Sequence, residues 1–316
     1  MAAPLRLDSV TKRYGKTLAV DGVSFTAEPG RLFGLLGPNG AGKTSTIRMI
    51  AYVTTPDSGT VTLGGQTAGP ETQQRMGYLP EERGLYRKLR VGEQLVYLAR
   101  LKGMTAHDAE VAVKRWLDRF GAADWWGRAT EELSKGMQQK VQFVATIAHD
   151  PELVILDEPF SGLDPTGADL LTEIIDEMRT AGRTVLFASH RMESVESLCD
   201  DVCLIARGRP VLAGALRDVK RQFGRDTVTV QYAGSDVWLD GLVGDEAVRV
   251  LARSAGRAEL RLADGTPARR VLEAAMAGAD DVDRFEVHEP PLADIFRQAV
   301  REDTRAATAT APALAA

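Results

Sequence analysis

Apolar positions along this chain fall into two patterns, solid short runs and spaced stripes. Leu153-Val154-Ile155-Leu156 and Thr184-Val185-Leu186-Phe187-Ala188 are unbroken runs, as expected of strands covered on both faces in a parallel sheet. Arg31 to Leu36 reads as another strand and Lys43 to Ala51 as the helix that follows it. The turn-rich stretch Thr54 to Pro70 holds a short strand signal, Thr60-Val61-Thr62-Leu63, consistent with a small antiparallel layer. Stripes predict two amphipathic helices. Arg90 to Gly103 carries Leu95, Leu98 and Leu101 on one face, and Thr105 to Phe120 buries Val111, Val113, Trp116 and Leu117. A third helix, Met137 to Ala148, has its apolar residues at Val141, Val144, Ala145 and Ala148. The pair Trp125-Trp126 either packs into this helical part or faces a partner.

A second unit begins near Asp226, after a helix predicted from Ala215 to Phe223. Thr227 to Tyr232 alternates like a strand. Val248 to Leu251, Ala258 to Leu262 and Val282 to Val287 suggest further strands, and Pro267 to Ala277 and Pro291 to Arg301 suggest helices. The expected organisation is an α/β domain over residues 1–220, with helices at about 88–148, and a small α+β domain over 226–302. An Ala/Thr-rich disordered tail is expected over 303–316.

Composition narrows the class. With 316 residues, 44% of them hydrophobic, there is apolar surface enough for two cores. No run approaches the roughly 18 apolar residues that cross a bilayer, and Met1 to Asp8 lacks a signal core. These features predict a cytoplasmic protein that forms no pore by itself. A net charge of −5 without a basic block speaks against nucleic acid as a partner. The only cysteines, Cys199 and Cys203, lack neighbouring metal-ligand spacing and are expected as buried thiols.

The chemistry concentrates in two places. Gly37-Pro38-Asn39-Gly40-Ala41-Gly42-Lys43-Thr44 follows G-x-x-x-x-G-K-[ST], with a strand before and a helix after. Its glycines let successive N–H groups turn inward around phosphate; Lys43 reaches the β- and γ-phosphates, and the Thr44 hydroxyl ligates Mg²⁺. Downstream, the run Leu153 to Leu156 ends in Asp157-Glu158, at the carboxyl end of a strand, where open α/β sheets bind ligands. Asp157 is assigned to the Mg²⁺ shell and Glu158 to the general base for water. His190, ending the run from Thr184, is placed to reach a γ-phosphate or to hold that water. Ser134 and the N–H groups near Gly136, at the start of the third helix, form a second anion site.

In this order the motifs resemble the nucleotide-binding subunits of ATP-binding cassette (ABC) transporters over residues 5–220. The resemblance implies a P-loop NTPase core with an antiparallel β-layer and a helical subdomain. It makes Tyr14 the aromatic that stacks on adenine, Gly37 to Ser45 the phosphate loop, and Tyr78-Leu79-Pro80-Glu81 the loop that senses the membrane partner. Leu133-Ser134-Lys135-Gly136-Met137 matches the family signature, Ser161 to Asp164 the D-loop at the dimer contact, and His190 the switch histidine. Two departures stand out. Lys135 and Met137 replace Gly and Gln, and Lys135 either adds charge near the nucleotide or faces solvent. Glu81 replaces a glutamine; its carboxylate either joins the Mg²⁺ shell or points to solvent.

What the resemblance implies is an ATPase with ATP and Mg²⁺ as cofactors, paired with a second such subunit, as a homodimer, and with a separately encoded transmembrane permease. That puts it peripherally on the cytoplasmic face of the membrane. The segments Tyr78 to Tyr86 and His288 to Phe296 look most like the bacterial sodium-extrusion and drug-resistance export branch, which carries a C-terminal extension. The alternatives are a soluble cassette ATPase acting on a macromolecular complex, such as the ribosome or DNA, and a small-molecule phosphotransferase.

Overall fold

The computed structural model describes residues 3–310 apart from positions 83, 224–226 and 264. The chain divides into two compact units, Met1–Leu216 and Arg217–Ala316.

In the first unit, a six-stranded sheet runs in the order β10-β9-β3-β8-β7-β6. Its strands are β3 (Leu32–Leu36), β6 (Met76–Leu79), β7 (Leu153–Asp157), β8 (Thr184–Ser189), β9 (Asp201–Ala206) and β10 (Arg209–Ala215). Five are parallel and β10 closes one edge antiparallel to β9. The solid apolar runs are β7 and β8, in which every residue is buried. Helix α6 (Pro165–Thr180) connects β7 to β8, α7 (Met192–Leu198) connects β8 to β9, and α1 (Lys43–Ile50) follows β3.

A four-stranded antiparallel layer, β2-β1-β4-β5, joins the same core. It comprises β1 (Leu5–Tyr14), β2 (Thr17–Ala27), β4 (Ser58–Leu63) and β5 (Gln66–Thr67), and the short α2 (Pro70–Gln74) leads from it to β6. Alternation in β1 breaks at Ser9, whose φ is +48°. The extra residue shifts the register between Leu7 and Val10, so that all of Leu5, Leu7 and Val10 are buried. Phe25 and Phe33 stack across the two sheets with centroids 4.6 Å apart.

The helical part consists of α3 (Val91–Leu101), α4 (Ala106–Arg119) and α5 (Lys135–Ile147). Thr105 caps α4 by accepting from the Asp108 N–H. The buried stripe of α4 is Ala109, Val113 and Leu117. Val111, expected inside, is 54% exposed, and Trp116 is only half-buried. The buried i, i+4, i+8 row passes through Ala109, which the expected stripe did not include. Trp126 packs flat against Gly92, where an added Cβ would stand 2.4 Å from the indole ring. Cys199 and Cys203 are free and buried, and burial raises both thiol pKa values, that of Cys203 to about 12.

The second unit begins within α8 (Leu216–Gln222). It continues as β11 (Thr227–Ala233), α9 (Trp238–Gly244), β12 (Val248–Ser254), β13 (Arg257–Leu262), α10 (Ala268–Gly278) and β14 (Asp281–His288). The sheet order β12-β13-β11-β14, antiparallel throughout, is that of a βαββαβ ferredoxin-like fold. Val228, Val230, Leu260 and Val271 form its core with Leu239 and Leu242 of α9, a helix the hydrophobic pattern did not predict. The last helix, α11, spans Leu292–Thr310. The tail expected over 303–316 is therefore helical as far as Thr310, and 311–316 lie outside the described residues.

Replacing Gly92 with alanine should force Trp126 off its seat and destabilise the first unit by about 1–3 kcal/mol. A lowered urea midpoint at unchanged slope is the expected result, and an unaltered midpoint would contradict the packing.

Candidate functional site

Three parallel strands end level with one another. Leu36 of β3 pairs with Ser189 of β8, and Asp157 of β7 pairs with Ala188. Beyond these ends lies a cavity of about 290 Å³ lined by Asn39, Gly40, Ala41, Gly42, Lys43, Thr44, Ser45, Glu81, Asp157, Glu158 and Ala19.

The loop between β3 and α1 owes its shape to glycine. Gly37 has φ +151°, and a Cβ there would lie 2.2 Å from the Ile205 carbonyl oxygen. Gly42, the N-cap of α1, has φ +110°, and its Cβ would meet the Ala19 oxygen at 2.5 Å. No side chain fits at either position. The Lys43 ammonium donates to the carbonyls of Gly37 (2.6 Å) and Pro38 (3.2 Å). Burial lowers its pKa, while Asp157, Glu158 and Glu81 oppose that shift.

Asp157 is buried and its Oδ2 has no hydrogen-bond partner. Burial first, then the charges of Glu81 and Glu158, push its carboxyl up to about 7. Three carboxylates thus face one ammonium in this cavity. Such a site favours a divalent cation. Among the described residues no group of three or more His, Cys, Asp or Glu side chains forms a preset metal cage. Magnesium fits this donor set, because it binds through one or two carboxylates with the remaining oxygens from phosphate and water. Thr44 and Asp157, with Glu81 on the same wall, are the residues that would hold it.

Glu158 sits just past β7 with φ +50°, a left-handed conformation unusual for a residue with a Cβ. Its N–H donates to the Ala188 carbonyl (3.0 Å). Its carboxylate is gripped from β8. The Ser189 hydroxyl donates to Oε2 (3.0 Å), and the His190 N–H donates to Oε1 (2.7 Å), which also lies 2.6 Å from His190 Nδ1. The imidazole is 56% exposed and the carboxylate only 12%. Pattern reading singled out His190 and passed over its neighbour Ser189; nothing distinguishes a serine at a strand end until its hydroxyl is placed.

Other candidates stand apart from this cavity. Tyr14 ends β1 with its ring exposed, beside Lys12, which Thr55 and Asp57 hold. Ser134 caps α5 by accepting from the Met137 N–H (3.3 Å), and both it and Lys135 are exposed. Gly136 packs against the segment after Glu158: a Cβ there would lie 2.8 Å from the Gly162 oxygen. Asp164 caps α6 through the Gly167 N–H (3.0 Å).

The raised pKa of Asp157 makes a signed prediction. Between about pH 4 and 7 the folded chain binds this proton more tightly than the unfolded chain, so the stability it contributes is lost as pH rises through that window. Without nucleotide, Asp157→Asn should melt higher than the wild type at pH 8, by about 5 °C. The gap should close toward pH 5. A gap independent of pH in thermal melts would rule out this account of the site.

Residues 20–161 match the model of the ABC transporter family, and residues 214–300 match that of the C-terminal domain of DrrA1-3-like ATP-binding proteins. Similarity to the ABC transporter ATP-binding protein YhaQ of Bacillus subtilis is 43% identity over 296 residues, 94% of this chain and 98% of the relative. The linearmycin resistance ATP-binding protein LnrL of the same organism is 37% identical, over 71% of this chain and 73% of the relative. The Nod factor export ATP-binding protein I of Burkholderia pseudomallei is also 37% identical, over 72% of this chain and 76% of its own length. A solved ATP-binding subunit of an ABC transporter superposes with a TM-score of 0.66 at 32% identity, covering 69% of this chain and 92% of that one. With a phosphate loop and an acidic strand end facing one cavity, and a relative matched across 94% of its length, the chain belongs to the ATP-binding subunits of ABC transporters, ATPases that use ATP with Mg²⁺ to drive transport.

Proposed function

We propose that this chain powers export through a separately encoded membrane subunit, by closing in pairs around ATP. The observation that carries the catalytic half is the cavity itself. A phosphate loop, the unpartnered Asp157 oxygen and the fixed Glu158 carboxylate all face one space. Export is supported by the kind of relative matched, among them a linearmycin resistance protein and a Nod factor export protein. The C-terminal match to DrrA1-3-like proteins supports it too.

In this reading the N–H groups of the 37–45 loop and the Lys43 ammonium hold the phosphates. Thr44 and Asp157, with Glu81, would hold Mg²⁺, which would supply charge neutralisation for the phosphates. Tyr14 stacks on the base. Glu158, fixed by Ser189 and His190, orients a water for in-line attack on the γ-phosphorus and takes its proton. The bond from the γ-phosphorus to the bridging oxygen breaks, leaving ADP and phosphate. The exposed Ser134 and the N–H groups near Gly136 serve the γ-phosphate bound by the second subunit. Asp164 lies at the contact between the two.

The membrane partner docks in a groove of about 290 Å³ between the sheet and the helical part. Its walls include Val53, Leu85, Leu98 and Leu101, and both Val53 and Leu101 are largely exposed. Among the described residues no helix is long and apolar enough to cross a membrane. That agrees with a peripheral subunit at the cytoplasmic face.

Glu158→Gln should bind ATP near normally, hydrolyse it at least ~10²-fold more slowly, and elute as an ATP-dependent dimer in gel filtration. Full turnover would remove Glu158 from the role of base. Leu101→Glu should leave hydrolysis by the isolated subunit within about twofold, since Leu101 does not line the nucleotide cavity. The same change should abolish transport in vesicles carrying the membrane subunit, because a charge in an apolar seat is not desolvated without cost. Retained transport would move the docking site elsewhere.

A further inference from the structure

Gln142 sits two turns into α5, is 4% exposed, and belongs to no motif in the sequence reading. Its amide nitrogen donates to two carbonyls at once, Pro80 O at 3.1 Å and Glu82 O at 3.2 Å. Those carbonyls flank Glu81. A side chain that grips the backbone on both sides of one residue fixes where that residue's own side chain can go. The amide orientation is forced, because turning it over would set its oxygen against two carbonyl oxygens. With the nitrogen so engaged, Gln142 Oε1 is left buried without a partner, on the wall of the docking groove. An apolar side chain of equal length would fill the space and strand no side-chain oxygen, but it would take this donor from the Pro80 and Glu82 carbonyls.

The same helix reaches the other acidic segment. Gln139, also 4% exposed, donates through its amide nitrogen to the Pro159 carbonyl at 3.0 Å, directly after Glu158. Ser134, the N-cap of α5, lies eight residues before Gln142, a span of roughly 12 Å along a rigid rod. One helix therefore carries the cap assigned to the partner's phosphate and the amides that hold the loops bearing Glu81 and Glu158.

We propose that Gln142 is a positioning residue that holds the Glu81 carboxylate on the wall of the nucleotide cavity, so that movement of α5 or filling of the groove changes the metal shell. The inference rests on the reading of Glu81 as a member of that shell. Residues that orient metal ligands are often as consequential as the ligands, and their loss commonly weakens binding about 10-fold or more.

The test uses the full chain, Mn²⁺ as the probe and a non-hydrolysable ATP analogue, with bound Mn²⁺ counted by electron paramagnetic resonance. Gln142→Met keeps the length and removes the donor; Gln142→Ala, a strong helix former, is the second variant should methionine disturb folding. Affinity for the analogue in EDTA should stay within about twofold in both Gln142 variants, because Gln142 does not line the nucleotide cavity and the 37–45 loop is untouched. Mn²⁺ affinity should fall about 10-fold in Gln142→Met and also in Glu81→Gln. The double variant should be no weaker than the worse of the two, since both act through one carboxylate. If Glu81→Gln weakens Mn²⁺ and Gln142→Met does not, the role given to Gln142 is wrong while Glu81 stands. If the two effects multiply, the residues act independently and the proposal fails. If Glu81→Gln changes nothing, Glu81 leaves the metal shell and the inference falls with it.

Discussion

Parallel pairing of β3, β8 and β7 is the constraint on which the site depends. Three chain segments far apart in sequence are held side by side by backbone hydrogen bonds, with their carboxyl ends level. Each end then delivers one component: a phosphate-cradling loop from β3, the Ser189 and His190 clamp from β8, and two carboxylates from β7. A slip of one residue in β7 against β8 would turn Asp157 to the other face of the sheet. The uniformly apolar runs do not by themselves choose between the two faces; the acids that stop the β7 run at Asp157-Glu158 mark where the strand has to end.

Electrostatics works against this packing. Gathering Glu81, Asp157 and Glu158 around one lysine sets like charges close together, and the buried Asp157 carboxyl responds by holding its proton to about 7. The left-handed backbone at Glu158 is a second cost borne at the same place. Lys43 and Arg48 offset part of the first, and the hydrogen bonds from Ser189 and His190 help hold Glu158 in the second. A site built for a phosphate and a divalent ion is left out of balance by itself, which is the condition for binding them tightly.

Much of this was legible in the sequence because the chemistry sits in contiguous motifs. Glycines that cannot carry a side chain, a lysine and a hydroxyl next to each other, and an apolar run stopped by two acids need no tertiary knowledge. What escaped was carried by weak local signals. Helix α9 has two glycines in seven residues and forms because Leu239 and Leu242 are buried in a shared core. The α4 stripe passes through Ala109, a small side chain that the expected stripe did not include. The end of α11 was read as disordered from its alanine and threonine content, although alanine is also the best helix former. Ser189, Ala19 and Gln142 act through a few side-chain hydrogen bonds or backbone proximity, for which periodicity carries no information.

The two cysteines have a practical consequence. Cys199 and Cys203 are both buried, unpaired, and keep their protons to well above neutral pH, so neither offers a thiolate to reagents in solution. The natural chain is therefore already a silent background for thiol labelling. A cysteine placed at an exposed point such as Lys135 or Val53 would be the only reactive sulfur among the described residues. A spectroscopic probe attached there would report on the signature helix or the docking groove without first removing anything from the core.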